Sequence, residues 1–173
     1  MLVRDAAQGD FPAIQSIYAH HVLHGLASFE EVPPDLEEMQ RRFRDIVGRR
    51  LPYLVAGESD EVLGYGYCAP YRARSAYRYA LENSVYVRED RRGRGVGSRL
   101  LAELIERCAR LGYRQMIAVI GDSANAASIA LHARHGFVRA GTLRSVGYKF
   151  GRWVDSLLMQ RPLGAGDGTP PAT

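Results

Sequence analysis

Residues 91–98 read Arg-Arg-Gly-Arg-Gly-Val-Gly-Ser, which joins fixed positive charge to glycine at the alternating positions Gly93, Gly95 and Gly97. Without side chains there, backbone N–H groups can close around an anion free of Cβ interference. Val96, Leu100, Leu101, Leu104, Ile105, Cys108 and Leu111 follow at helical spacing. The turn therefore opens a helix whose free N–H groups and positive dipole end face one point, a position that suits a pyrophosphate. Arg91, Arg92 and Arg94 add guanidinium donors of the shape that phosphate oxygens accept. The chemistry indicated is retention of a phosphorylated cofactor; the alternative is a glycine-rich turn with solvated arginines. Spacing removes two other glycine-loop readings. A nucleotide-triphosphatase loop needs Gly-Lys-Ser/Thr, whereas here Ser98 follows Val96-Gly97. A dinucleotide fingerprint needs G-x-G-x-x-G and an acidic residue about twenty positions on, where this chain has the apolar run 116–120.

A second cluster lies at Asn125, Ser128 and His132, which fall at i, i+3 and i+7 and put an amide, a hydroxyl and an imidazole on one helix face. One ligand is expected to meet all three. The alternative for His132 is a histidine satisfied at a helix surface, and His135, beside Gly136, reads as support for the helix end.

Helical and strand-like segments alternate around these clusters, as an α/β (α+β) domain requires. The pattern predicts a strand over 3–6, a helix from an Asp10 cap to about Val22, and a second helix opened by Asp35 and Glu38 as a capping box and ended by Gly48. A hairpin of 53–57 and 62–71 and a strand over 81–87 precede the long helix. After it come a fully buried strand over 115–120, a helix over 124–135, and two closing antiparallel strands over 137–142 and 152–160. Residues 1–163 form one expected domain, and the Gly- and Pro-containing residues 164–173 an expected disordered tail.

With 173 residues, 46% hydrophobic and 24% charged, the chain has the composition of one soluble globular domain with a real core. No apolar run approaches the roughly 20 residues that span a bilayer, and no signal-peptide pattern stands at the start, so a cytoplasmic protein without a membrane partner is expected. Cys68 and Cys108 read as small core residues, and no metal site is expected. A net charge of +4 permits nucleic-acid binding, but the arginines gather at one glycine turn instead of a broad basic face, so no nucleic-acid partner is expected.

Arg92-Gly93-Arg94-Gly95-Val96-Gly97, after a strand ending Val85-Tyr86-Val87, resembles the R/Q-x-x-G-x-G pattern with which the GNAT acetyltransferase superfamily holds the pyrophosphate of coenzyme A. The segment 125–137 is similar to that superfamily's N-x-x-(S/A)-x-x-L-Y-x-x-x-G-F, with His132 where the tyrosine usually stands. Ala27-Ser28-Phe29, Arg72-Ala73-Arg74-Ser75-Ala76-Tyr77, Glu82-Asn83-Ser84-Val85-Tyr86-Val87, Ala118-Val119-Ile120 and Lys149-Phe150-Gly151-Arg152-Trp153 narrow the resemblance to the phosphinothricin and methionine sulfoximine N-acetyltransferases, over about residues 3–163.

That resemblance implies a GNAT fold, with a central mixed, mostly antiparallel seven-stranded sheet flanked by about four helices, and a homodimer. It implies acetyl-CoA as co-substrate, with Val85, Tyr86, Val87, Arg92, Gly93, Arg94, Gly95, Val96, Gly97, Ser98, Asn125 and Ser128 holding it. The acceptor it implies is the α-amine of a phosphinothricin-, methionine sulfoximine- or methionine sulfone-like amino acid. The family's acidic residue before its V-Y-V strand maps onto Glu82 and its helix histidine onto His132, which makes these the expected catalytic residues.

An α-amine is largely protonated at neutral pH and only its neutral form attacks a thioester, so a carboxylate or a water bound to it must take the proton. Glu82, sharing a strand face with Ser84 and Tyr86, is the expected general base, its pKa raised by partial desolvation. The bland alternative is a solvent-exposed strand glutamate. His132 is expected either to protonate the departing thiolate or to relay the amine proton, and the sequence leaves both open. The backbone of 85–87 is expected to pair with the pantetheine amides as an added strand would. Arg72 and Arg74 are expected to grip the acceptor's carboxylate or phosphinate, with Phe29 and Tyr77 as apolar walls and Ala73, Asn83 and Ser84 beside them. Two other function classes stay open. The same cofactor site with a polyamine, aminoglycoside or protein N-terminus as acceptor would favour an acidic groove over paired arginines. A non-catalytic coenzyme-A-binding module would not need Glu82 and His132 together.

Overall fold

The computed structural model describes residues 1–171. One sheet is laid down in chain order by β1 (Leu2–Asp5), β2 (Tyr53–Glu58), β3 (Glu61–Pro70), β4 (Ala80–Val87) and β5 (Gln115–Gly121). Then β7 (Arg152–Pro162) pairs with β5, and β6 (Val138–Lys149) takes the outer edge. Only β4 and β5 run parallel, so the expected mixed, mostly antiparallel sheet of seven strands is what forms. Helices α1 (Phe11–His24) and α2 (Leu36–Gly48) lie on one face, where Tyr18 of α1 packs edge-on against Tyr86 of β4 at 5.0 Å. Helices α3 (Val96–Arg110) and α4 (Ala126–Arg134) lie on the other.

The spacing that predicts α3 is the spacing that buries it: Val96, Leu100, Leu101, Leu104 and Cys108 all face the sheet. On the opposite face, cross-strand stacking of Tyr53 on Tyr67 at 5.1 Å and of Tyr65 on Tyr86 at 5.2 Å ties β2, β3 and β4 into one aromatic ridge under α1. Asp35 caps α2 as its type predicts, accepting from Glu38 N at 2.9 Å. Asp10 precedes α1 but does not cap it. Its carboxylate accepts from Arg4 at 2.7 and 2.8 Å and from Ala7 N at 2.7 Å, tying α1 to β1 instead.

Several expected boundaries move by a residue or two, and the larger differences have identifiable causes. α4 starts at Ala126, because Asn125 takes the cap position and accepts from Ser128 N at 3.1 Å. β6 runs well past residue 142 to Lys149, through two register shifts. The second shift is stabilised from outside the strand, since Asp155 accepts from Ser145 N at 2.9 Å and from Ser123 Oγ at 2.8 Å, partners remote from one another in sequence. The segment expected as a disordered tail lies, through Pro170, in turns held by Arg114, which donates to Gly166 O at 3.2 Å and Pro170 O at 3.1 Å. Ala172 and Thr173 lie outside the described residues. Among the described residues no helix is long and apolar enough to cross a membrane.

Replacing Asp35 by Ala is expected to cost about 1 kcal/mol, the usual value of a lost N-cap, read as a lower urea midpoint with an unchanged m-value.

Candidate active site

β3 and β4 stay paired from Gly64 opposite Val87 to Pro70 opposite Leu81, and β5 stays paired with β7 along its whole length. Between those halves, β4 and β5 pair only from Ala80 opposite Gln115 to Asn83 opposite Ala118. Beyond Asn83 the sheet forks. The carbonyls of Ser84 and Tyr86 lie against β3, close to Gly66 and Gly64. Strand alternation therefore turns the N–H and C=O groups of Val85 and Val87 into the fork. Val87 O accepts from His21 Nε2 at 2.9 Å, and the others have no partner strand. A cleft of about 1050 Å³ passes through this opening, lined by Val85, Val87, Gly95, Gly97, Asn125 and Ser128 among others.

The glycine turn forms one end of the cleft. Gly93 and Gly95 take φ of +73° and +79°, a region that side-chain-bearing residues rarely enter. Gly95 stands at the N-cap of α3 and no side chain caps the helix, which leaves the first-turn N–H groups of Val96, Gly97 and Ser98 free to meet an anion. Gly97 serves closeness rather than conformation: a Cβ there would lie 3.3 Å from Leu131 of α4 and 3.5 Å from Val87. The arginines divide. Arg92 pairs with Glu89 at 2.7 Å and Arg91 with Glu61 at 3.3 Å, whereas Arg94 is exposed with no ion pair among the described residues. Ser98 Oγ is shared with α4 through His135 Nε2 at 2.8 Å. Tyr86 turns its ring away from the cleft, onto Tyr18 and His21.

The face of α4 is more self-contained than its spacing suggests. Asn125 spends its Oδ1 on the helix cap, and His132, only 5% exposed, turns towards the base of the fork. There Asn83 donates from Nδ2 to Ile117 O at 3.1 Å, which directs its Oδ1 at His132 Nε2, 3.0 Å away. His132 Nδ1 lies 2.8 Å from Ser128 O. Both ring nitrogens thus meet carbonyl oxygens, and a neutral ring has only one N–H to offer them. Burial lowers the His132 pKa, the Ser128 carbonyl opposes that shift, and the charge of His135 adds to it. A chain of contacts, α4 to Asn83 to β5, therefore closes the sheet where the fork begins.

Glu82 and His132 stand on opposite faces of that sheet. Glu82 shares the α1 and α2 face with Ser84, whose side chain is hydrogen-bonded to the Tyr67 hydroxyl. Burial raises the Glu82 pKa above the ordinary carboxylate range, and Arg72 provides the only opposing charge. Asn83, expected beside the acceptor, is instead buried on the α4 face. Arg72, Ala73, Arg74 and Tyr77 sit together on the exposed connection from β3 to β4, with Arg72 5.0 Å above the Tyr71 ring and Tyr77 edge-on to Tyr71 at 5.8 Å. Phe29 lies across the end of β5 and over β6, its ring against Gly121 and Gly147. His21 was absent from the expected site. It lies at i+4 from Ile17 on the apolar face of α1, a pattern that core residues share, so spacing carries no signal for its bond to Val87.

The family model described as acetyltransferase (GNAT) domain matches residues 3–158 of the chain. The chain belongs to the GNAT acetyltransferase family. The phosphinothricin N-acetyltransferase of Alcaligenes faecalis is 57% identical, over 98% of this chain and 86% of its own length. The L-methionine sulfoximine/L-methionine sulfone acetyltransferase of Pseudomonas aeruginosa is 44% identical, over 91% and 92%. The crystal structure of a GNAT superfamily phosphinothricin acetyltransferase from Sinorhizobium meliloti, in complex with AcCoA, matches with a TM-score of 0.96 at 46% identity, over 99% of this chain and 92% of that one. The enzyme class, an acetyltransferase, follows from the family.

Asn83→Leu leaves Ile117 O and His132 Nε2 without their buried partner. This GNAT domain is expected to lose about 1–3 kcal/mol of stability, measured by urea unfolding, and the variant is overturned as a test of the fork if its midpoint matches wild type.

Proposed function

We propose that this protein is a cytoplasmic N-acetyltransferase acting on the α-amine of a small amino acid that carries a tetrahedral phosphinate, sulfoximine or sulfone, as phosphinothricin, methionine sulfoximine and methionine sulfone do. One observation carries the reading: the half-buried carboxylate of Glu82 and a helix start with free N–H groups lie on opposite faces of a sheet that forks beside them. The names of the relatives, which match nearly the whole chain, support the acceptor class.

Acetyl-CoA, when bound, supplies the thioester carbonyl that the amine attacks. The residues present fit it. The free N–H groups of 96–98 and the unpaired Arg94 suit its pyrophosphate, Asn125 and Ser128 line the cleft, and the backbone of Val85 and Val87 offers its unused hydrogen-bonding groups to the pantetheine arm. On the opposite face Glu82 takes the proton from the acceptor's ammonium, directly or through a water, and holds it on its carboxylate. Arg72, the positive charge felt at Glu82, and Arg74 bind the acceptor's anionic groups, and Phe29 and Tyr77 enclose its side chain. His132 acts as a positioning residue. Buried between Ser128 and Asn83, it holds Asn83 and hence the end of β4–β5 pairing in place.

The enzyme is also proposed to be a homodimer. β6 leaves an edge of the sheet open, and its apolar side chains Val146 and Tyr148, 54% and 58% exposed, stand beside Trp153 of β7, 65% exposed. Sedimentation equilibrium is expected to give twice the chain mass for wild type and a shift to monomer for Val146→Glu; a monomeric wild type removes this part of the reading.

Thiol release from acetyl-CoA across methionine sulfone, methionine sulfoximine, phosphinothricin, ordinary amino acids and polyamines tests the acceptor. Turnover confined to polyamines would overturn the roles of Arg72 and Arg74. Glu82→Gln is expected to lower kcat by about a hundredfold to ten-thousandfold, the usual worth of a general base, with little change in the KM for acetyl-CoA. Because only ionised Glu82 accepts a proton, wild-type kcat/KM should rise with pH through its raised pKa, and that inflection should vanish in Glu82→Gln.

A further inference from the structure

Lys149 is 2% exposed, yet no carboxylate lies within ion-pair distance of it among the described residues. Its ammonium instead donates to two backbone carbonyls, Gly25 O at 3.0 Å and Ser28 O at 2.7 Å, and lies 5.0 Å from the centre of the Phe150 ring. Both carbonyls belong to the loop that leaves α1 and carries Phe29. Burial lowers the Lys149 pKa, and the more distant carboxylates of Glu31 and Glu30 oppose that shift. A buried cation held without a carboxylate in contact is costly, so a structure that keeps one has a use for the bonds it makes.

The receiving surfaces are shaped for the same loop. A Cβ on Gly121 would overlap Leu26 O, and a Cβ on Gly147 would overlap the Phe29 ring, so β5 and β6 are cleared along the path of residues 26–29. Lys149 itself ends β6 where a two-residue hairpin turn follows. Phe150 and Gly151 both have positive φ, 53° and 73°, and the first of these is an unusual conformation for a bulky side chain. That turn keeps Phe150 against the ammonium. The other ties on the loop come from the helices: Tyr18 OH meets Ser28 Oγ at 2.9 Å, and Arg42 donates to Glu30 at 2.7 Å.

We propose that Lys149 is a positioning residue for acceptor specificity: by clasping the carbonyls of Gly25 and Ser28 it sets where the Phe29 ring stands over the end of β5, and so the shape of the acceptor side of the fork. The inference rests on the proposed placement of the acceptor against Phe29. It gives Lys149 no contact with the acceptor or with the reacting atoms.

The test compares wild type with Lys149→Met, which removes the donors at similar length, and Lys149→Arg, which keeps charge and donors. If Lys149→Met fails to fold, as judged by near-ultraviolet circular dichroism, Lys149→Gln replaces it. Hydrogen exchange of the amides over 26–30 is expected to quicken about tenfold or more in Lys149→Met, the scale of one lost charge-assisted hydrogen bond, with α3 unchanged and Lys149→Arg near wild type. The KM for methionine sulfone is expected to rise by about the same factor while the KM for acetyl-CoA stays within about threefold. Unchanged exchange over 26–30 would overturn the clasp, and faster exchange with an unchanged acceptor KM would overturn its role in specificity. If wild type turns over none of the amines, the acceptor assignment itself falls, and the exchange measurement still decides whether Lys149 holds the loop.

Discussion

The end of hydrogen bonding between β4 and β5 after Asn83 is the constraint on which the rest of this molecule depends. A parallel pair that continued would leave no room between the strands and no unpaired backbone at Val85 and Val87. Two antiparallel pairings, β3 with β4 and β5 with β7, are strong enough to carry each half of the sheet past the point where the halves separate. The cost of parting falls on backbone groups that lose strand partners, and a structure accepts that cost when a ligand or side chain takes them up. His21 takes one of them, at Val87 O.

The fork also explains why its surroundings are polar where a core would be apolar. Asn83 and His132 are both buried, and their mutual bond with the link to Ile117 O satisfies groups that would otherwise be stranded at the branch. Gly97 belongs to the same logic, since the close approach of α3 to α4 and β4 keeps the helix start near the opening. Charge is arranged about the fork by face. Donors collect on the α3 side, and the isolated carboxylate of Glu82 stands on the α1 side with its proton affinity raised by burial. Under the proposed function that separation matters, because a carboxylate placed among phosphate-binding donors would be held ionised and would be a weak base.

Around this centre, the walls are built by clasps from distant segments. Lys149 reaches residues more than a hundred positions earlier in the chain, and Asp155 stabilises a bulge in β6 while also holding Ser123. Such contacts let short, irregular loops stand in fixed positions without long elements of their own.

The sequence by itself determined the parts whose physics is local. Helical spacing from Val96 to Cys108, the Asp35 cap, the glycine turn with its arginines and the apolar run of β5 each reflect interactions within a few residues, and all were readable without the fold. The candidate residues were also readable as types: a carboxylate at Glu82, an imidazole at His132, paired guanidiniums at Arg72 and Arg74. Only the tertiary structure decided which of them share a side. Strand alternation separates Glu82 from Asn83, but the identity of each face depends on which helices pack there, and that is settled by contacts between segments far apart in sequence. The same holds for the cap made by Asn125, for the pairing of Arg92 with Glu89, and for Lys149, whose partners are backbone carbonyls and therefore leave no trace in residue type.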